Sequence, residues 1–216
     1  MSELESRVNT FSPELIKEVS LDKSGYLFVK RIIDLLVAII GLIITSPILL
    51  LTAIVIKLES PGPIIFKQAR LGENGKEFTI YKFRSMVKNA EAKTGAVWAK
   101  KNDCRVTKVG KFIRKTRIDE LPQFFNILIG DMTLVGPRPE REVFIEEFDR
   151  KYPGFKNRML VKPGVTGLAQ VKGGYDLTPG QKLRLDMLYI KNRSTLLDLE
   201  IMIRTALVMI FGDGAR

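Results

Sequence analysis

The stretch Ile32–Ile56, IIDLLVAIIGLIITSPILLLTAIVI, decides how this chain is organised. It runs for 25 residues with a single charge, Asp34. A straight helix of that length reaches about 37 Å, against a bilayer hydrocarbon core of about 30 Å. It begins behind a 31-residue polar lead, and no small-residue cleavage site of the usual kind follows, so it reads as a retained membrane segment and not as a signal peptide. Pro47 stands in its middle. Proline has no amide hydrogen, so the Ile43 carbonyl loses its helical partner and the helix kinks. The neighbouring hydroxyls of Thr45 and Ser46 can bond the freed backbone groups, which lipid would leave unsatisfied. The arms on either side, of about 15 and about 10 residues, are each too short to cross alone. Basic residues flank both ends, Lys23, Lys30 and Arg31 before and Lys57, Lys67 and Arg70 after, which favours both ends on the cytoplasmic face. These facts together predict a re-entrant helix over residues 26–58, broken at the hinge Ser46-Pro47. A Pro-kinked span with its N-terminal tail outside is the alternative.

Working outward, residues 1–22 carry five acids against Arg7 and Lys17, a net −3 within a chain of net +11. Residues 1–25 are expected to form a mobile acidic tail. The densest basic stretch, 100–117, holds Lys100, Lys101, Arg105, Lys108, Lys111, Arg114, Lys115 and Arg117 against Asp103 alone. Such a patch suits phosphates, whether of nucleic acid, anionic lipid or nucleotide. The chain has no histidine and one cysteine, Cys104. That excludes a Ser-His-Asp or Cys-His apparatus, an intrachain disulfide, His-ligated zinc or haem and any Cys-cluster metal site. Acid–base and nucleophilic chemistry must come from Asp, Glu, Lys, Tyr, Ser or Thr, and any metal must be a hard cation such as Mg²⁺.

Beyond the apolar segment, residues 59–216 read as one catalytic domain of mainly helical α+β class. Ile64–Lys67 and Phe78–Phe83 form two short strands joined through Gly72-Glu73-Asn74-Gly75, a β-hairpin signal. A helix starts near Asp119–Pro122, another covers Glu140–Tyr152, and a third starts at Thr178-Pro179 and runs toward Arg193. Gly136-Pro137-Arg138-Pro139 and Pro163–Gly167 read as loops, and residues 86–104 resist placement. The segment 195–211 is apolar around much of its circumference. It suits an amphipathic interfacial helix, an ordinary core helix or a homodimer face equally well.

Four groups of residues are able to carry chemistry. Asp119-Glu120 lies at a helix entry behind the cluster Arg114, Lys115 and Arg117, where one carboxylate can hold a metal while the other acts on substrate. An ionised aspartate is a competent nucleophile toward phosphorus once cations neutralise the phosphate oxygens. Lys82 and Arg84, on one face by strand alternation, suit a diphosphate. Arg138, held between two prolines, loses little freedom on gripping phosphate. Asp186, inside the apolar run Leu183–Tyr189, wants an arginine or a metal as partner. Each also has a plain structural reading: an N-cap for Asp119, a solvated strand edge for Lys82 and Arg84, a surface turn for Arg138, a buried ion pair for Asp186.

Order and wording add more than any one group. Lys30-Arg31 with Asp34 opens the apolar segment, and Ser46-Pro47 lies within it. Then follow Ser60-Pro61-Gly62-Pro63, Tyr81–Met86 (YKFRSM), Arg117–Gln123 (RIDELPQ), Gly130-Asp131-Met132, Val135–Pro139 (VGPRP), Pro163–Gln170 (PGVTGLAQ), and Asp186 with Tyr189. Over about residues 26–214 the chain closely resembles the bacterial sugar transferases called monotopic polyprenyl-phosphate phosphoglycosyl transferases, in their small catalytic form. The resemblance implies transfer of sugar-1-phosphate from a UDP-sugar to undecaprenyl phosphate with release of UMP, by a ping-pong route through an aspartyl phosphosugar. This is the first membrane step in assembling a capsule, O-antigen, exopolysaccharide or glycoprotein glycan. By the same resemblance Asp119 is the nucleophile, and Glu120, with Asp119, holds Mg²⁺. Lys82, Arg84, Arg114 and Arg138 are phosphate-binding candidates, with Gln170 and Asp186 in substrate-binding or supporting roles. The resemblance also implies a monotopic enzyme on the cytoplasmic face of the bacterial inner or plasma membrane, in contact with membrane lipid and not with nucleic acid. The rival expectations are a membrane-anchored anion-binding module without catalysis and a phosphotransferase acting by direct displacement.

Overall fold

The computed structural model describes residues 23–92, 95 and 103–211. The acidic tail up to residue 22, and Lys100 and Lys101 of the basic stretch, lie outside the described residues. Helix α1, Ser24–Glu59, contains the whole apolar segment and is long and apolar enough to cross a membrane by length and composition. The expected break at Ser46-Pro47 is not an interruption of helical structure, for α1 continues through Pro47 as one element. The reason lies in the hydroxyls. Ser46 Oγ donates to the Ile43 carbonyl at 2.8 Å, the group that Pro47 leaves without its amide partner. Thr45 Oγ1 donates to Gly41 O at 2.6 Å. Local bonding thus removes the cost that would otherwise open the helix.

Both ends of α1 rest on the same folded body. Near its start, Lys23 Nζ donates to Arg193 O at 2.9 Å and Lys30 Nζ meets Asp198 at 2.7 Å. Arg31 donates to the carbonyls of Ile127 and Leu128, which end a helix and need partners. Asp34, the one charge in the apolar run, accepts from Thr133 Oγ1 at 2.6 Å and from the Leu134 amide at 2.9 Å. Near its finish, Ile56 packs with Phe83 and Ile113. Lys23, Lys30 and Arg31, read from the sequence as flanking charges, are each also engaged with protein groups. Much of the opposite face is bare and apolar, with Ile44 70 % exposed.

Strands β1 (Ile65–Leu71) and β2 (Glu77–Phe83) form the antiparallel hairpin, in register Ile65↔Phe83 to Leu71↔Glu77. The first strand runs further than its apolar residues indicate, because pairing with β2 carries it through Gln68 and Arg70. Helix α2 (Lys108–Lys115) is N-capped by Thr107, whose hydroxyl accepts from Gly110 N at 2.9 Å. A 3₁₀ turn, Ile118–Glu120, leads into α3, Gln123–Ile129. A second, parallel pair, β3 (Thr133–Val135) with β4 (Gly164–Thr166), is unforeseen by the sequence reading, which made 163–167 a loop. Three residues are too few to show alternation. Glycine makes this pair feasible, since a Cβ on Gly164 would overlap the Gly136 backbone. Helix α4 (Glu142–Lys151), a 3₁₀ segment Phe155–Leu160, short α5 (Leu168–Lys172), α6 (Pro179–Asn192) and α7 (Thr195–Phe211) complete the order. Thr178 and Gln181 cap α6 reciprocally in a capping box. Phe144, Phe148, Phe155, Ile127, Met132, Met187 and Ile201 fill the core beneath the pocket. On α7, Ile201 is buried while Leu196 and Ile203 are exposed, so the helix has a core face and a bare apolar face.

Candidate active site

The pocket opens where β2, the 3₁₀ turn and the loop after β3 converge. Arg117 directs the turn: its backbone takes the left-handed conformation (φ 60°), ending α2 and folding Ile118–Glu120 back over the pocket. The cavity, about 240 Å³, is lined by Asp119, Glu120, Lys82, Arg114 and Arg138, and also by Gln170. Arg70, Arg117, Arg141, Arg158 and Lys182 add cations to the same wall.

Within it the two carboxylates differ. Glu120 is gripped from two sides, by Lys82 Nζ on Oε1 at 3.1 Å and by the Arg138 guanidinium. Burial pushes its carboxyl up, but Arg138 and Lys82 outweigh this and hold it far below the usual carboxylate range. Asp119 is 8 % exposed. Its burial, and then the charge of Glu120, raise it to about 6 against the opposing pull of Lys82, Arg114 and Arg138. One carboxylate is therefore locked as an anion, while its neighbour is unusually basic and ionises just below neutrality.

The cations are aimed by their neighbours. Ser85 Oγ accepts from Arg114 Nε at 2.8 Å and turns that guanidinium toward the pocket. The loop bearing Arg138 is bonded nearly residue by residue. Gly136 N donates to Thr166 O, Gly164 N to Pro137 O, Arg70 Nη1 to Pro139 O, and Leu71 N to Glu140 O. A stiff loop presents its arginine at little entropic cost.

Two expected site residues are placed elsewhere. Arg84 does not line the pocket, because β2 ends at Phe83 and alternation no longer governs the next residue. Its guanidinium donates to Ser60 O at 2.7 Å and Pro61 O at 2.8 Å, tying down the turn after α1. Asp186 lies behind the pocket, accepting from Arg158 Nε at 3.0 Å and Nη2 at 2.6 Å. Gln170 does reach the wall, but its Nε2 donates to Val165 O at 2.7 Å. Arg70, Ser85, Glu140, Arg158 and Lys182 were not singled out from the sequence as site residues, and all line the pocket. For Arg70 a signal existed: alternation along β1 puts it on the sheet face that Lys82 shares through its partner Phe66.

Residues 25–212 match the family described as bacterial sugar transferase. The chain belongs to this family. Among relatives of the chain is the UDP-N-acetylgalactosamine-undecaprenyl-phosphate N-acetylgalactosaminephosphotransferase of Aeromonas hydrophila. It is 50 % identical over 194 residues, covering 88 % of this chain and 46 % of the relative. A Bacillus subtilis protein, provisionally named an undecaprenyl-phosphate N-acetylgalactosaminyl 1-phosphate transferase, is 52 % identical over 151 residues, or 69 % and 84 % of the two chains. The UDP-glucose:undecaprenyl-phosphate glucose-1-phosphate transferase of Klebsiella pneumoniae is 46 % identical over 181 residues, or 82 % and 39 %. The chain thus spans less than half the length of the Aeromonas and Klebsiella relatives.

The donor set of the pocket fits Mg²⁺ in kind. Among the described residues no group of three or more His, Cys, Asp or Glu side chains gathers as a protein cage. Mg²⁺ does not need one, since it is held by one or two carboxylates while substrate phosphates and water complete its shell. Among the described residues Glu120 Oε2 meets the long 3.5 Å approach of Arg138 Nη1, and Glu120 and Asp119 both line the cavity, so these two carboxylates would hold such an ion.

Proposed function

We propose that the chain transfers a sugar-1-phosphate from a UDP-sugar to undecaprenyl phosphate, releasing UMP and leaving a polyprenyl-diphosphate sugar, the first lipid-linked intermediate of a glycan. The carrying observation is the pair of unequal carboxylates in a cation-lined pocket: Asp119 basic and buried, Glu120 pinned by Lys82 and Arg138. A carboxylate nucleophile serves best when it is ionised near working pH yet poorly solvated.

In this mechanism Asp119 attacks the phosphorus that bears the sugar. The bond from that phosphorus to the bridging oxygen of the diphosphate breaks, and UMP leaves with the electron pair. An aspartyl phosphosugar remains. An oxygen of undecaprenyl phosphate then attacks the same phosphorus, the acyl-phosphate bond breaks, and the Asp119 carboxylate is regenerated. The acceptor phosphate is already largely ionised near neutral pH, so no histidine is required. Lys82 and Arg138 hold Glu120 in place and balance charge beside the reacting phosphate. Arg114, whose guanidinium Ser85 orients, provides donors on the α2 side of the pocket. Mg²⁺, held by Glu120 and Asp119, supplies further neutralisation of phosphate charge when bound.

In this reading residues 26–58 are a monotopic, re-entrant anchor hinged at Ser46-Pro47, residues 59–216 are the catalytic part, and the pocket faces the cytoplasm. Support comes from α1, whose beginning and end both touch the one folded body. A hydrocarbon slab of about 30 Å cannot lie between them. The binding-module alternative is weakened because part of the basic stretch belongs to the pocket: Arg114 and Arg117 line it and Arg105 pairs with Asp103, while Lys108, Lys111 and Lys115 stay exposed.

UMP release by the purified chain in detergent, with Mg²⁺, undecaprenyl phosphate and a panel of UDP-sugars, tests the reaction. UDP-N-acetylgalactosamine leads the panel, since the relatives at 50 % and 52 % identity carry that sugar in their names. The expected result is UMP from at least one donor in the presence of acceptor. Release from none by a folded preparation would sink the proposal.

A further inference from the structure

The first turns of α1 reach further into the fold than an anchor requires. Lys30 Nζ donates to the Val135 carbonyl at 2.9 Å and to Asp198 Oδ2 at 2.7 Å, and it lies 5.9 Å from the centroid of the Tyr26 ring. Asp198 is held in turn by Tyr26 OH on Oδ2 at 2.8 Å, while its Oδ1 lies 2.8 Å from Tyr189 OH. The Tyr189 hydroxyl also lies 2.9 Å from Val135 O, so its one proton is shared between two acceptors. An ammonium has three protons and serves the carbonyl and the carboxylate at once. Val135 ends β3, and Arg138 follows it by three residues along the bonded loop described above. The β3–β4 contact beyond this point uses Gly136 N and Pro137 O, whereas Val135 O is met by side chains.

We infer that Lys30 is a positioning residue for Arg138: by fixing the Val135 carbonyl from the anchor helix it sets the phosphate-gripping loop, so that the seating of α1 determines the geometry of the active site. The position of Lys30 at the head of an apolar helix invites a different explanation, a charge that only orients the segment in the membrane. The two separate in the Lys30→Arg variant. Arginine keeps the charge, but a planar fork replaces a point ammonium in a slot where the lysine side chain is 12 % exposed.

The inference rests on the proposed reaction only for one of its two readouts. Turnover and the calorimetric Kd for UDP are measured in the full-length chain for wild type, Lys30→Arg, Lys30→Met, Arg138→Met and each Lys30 variant combined with Arg138→Met. Lys30→Met and Lys30→Arg are each expected to lower turnover by about 10-fold and to weaken UDP binding. In the Arg138→Met background the same substitutions should add less than about 2-fold, since coupled residues do not act additively. Tyr26→Phe, which removes a bond to Asp198 and a 3.3 Å contact with Tyr189 but no direct bond to Val135, should change either readout by no more than about 2-fold. Full activity in Lys30→Arg, equal losses in both Arg138 backgrounds, or an equal loss in Tyr26→Phe would each overturn the inference. If wild type binds UDP and no donor turns over, the reaction fails, and the coupling is still read from Kd.

Discussion

Asp119→Asn is expected to abolish UMP release and to raise the melting temperature at pH 7.5. Both effects follow from one property. The folded protein holds the Asp119 carboxyl at about 6, above its ordinary 3.8, because burial and the Glu120 charge oppose ionisation. The folded state therefore prefers the proton more than the unfolded chain does. The fold keeps its full stability below the unfolded value near 3.8, and loses it as pH rises through about 6. Above that the cost is on the order of 3 kcal/mol, and a chain of this size shifts by about 2–4 °C per kcal/mol. Asparagine keeps the shape and cannot ionise, so the variant should gain roughly 6–12 °C at pH 7.5 and nothing near pH 4. Its turnover should be at least about 10³-fold below wild type, as for loss of a covalent nucleophile. Wild-type turnover should itself decline as pH falls through about 6, where Asp119 takes up its proton. Scanning calorimetry across pH, paired with the UMP assay, checks both. A variant that is less stable than wild type at pH 7.5, or that turns over normally, contradicts this assignment.

The second large effect lies behind the pocket. Asp186→Ala leaves the Arg158 guanidinium, 3 % exposed, without the carboxylate that takes its Nε and Nη2. Breaking one side of a buried ion pair costs about 3–5 kcal/mol, or a fall of roughly 10 °C or more in melting temperature. Replacing both partners, Asp186→Leu with Arg158→Met, should recover most of that loss, since an apolar pair has no charge to desolvate. Yet Arg158 also lines the pocket, so the double variant should bind UDP more weakly than its stability suggests. Thermal denaturation of the single and double variants decides between this pair and a surface contact. A surface pair would cost no more than about 1 kcal/mol.

These effects also show what was legible in the chain beforehand. The apolar run and Pro47 announce an unusual helix, and the Gly72–Gly75 turn announces the hairpin, because both signals are local. The RIDELPQ and VGPRP motifs mark Asp119, Glu120 and Arg138, which meet in one pocket. Contacts distant in sequence were hidden. Asp186 finds Arg158 28 residues away, and Asp34 finds Thr133 and Leu134 across about a hundred residues. No periodicity encodes such pairings. Arg84 misleads for a different reason: one residue past the end of a strand, its side chain follows the turn after α1 and not the strand face. Lys23, Lys30 and Arg31 look like interfacial charges because most of their partners are backbone carbonyls, which every sequence has and none displays, and the carboxylate that Lys30 meets, Asp198, lies 168 residues away.

The most direct test of the mechanism needs no acceptor. Enzyme, Mg²⁺ and the active UDP-sugar are mixed without undecaprenyl phosphate, and UMP and the intact mass of the protein are followed together. The mechanism predicts a burst of UMP stoichiometric with enzyme and a protein heavier by one phosphosugar, the added mass located on Asp119 and discharged when undecaprenyl phosphate is supplied. UMP that appears only after the acceptor is added, with the protein mass unchanged throughout, would mean direct displacement and would contradict a covalent role for Asp119.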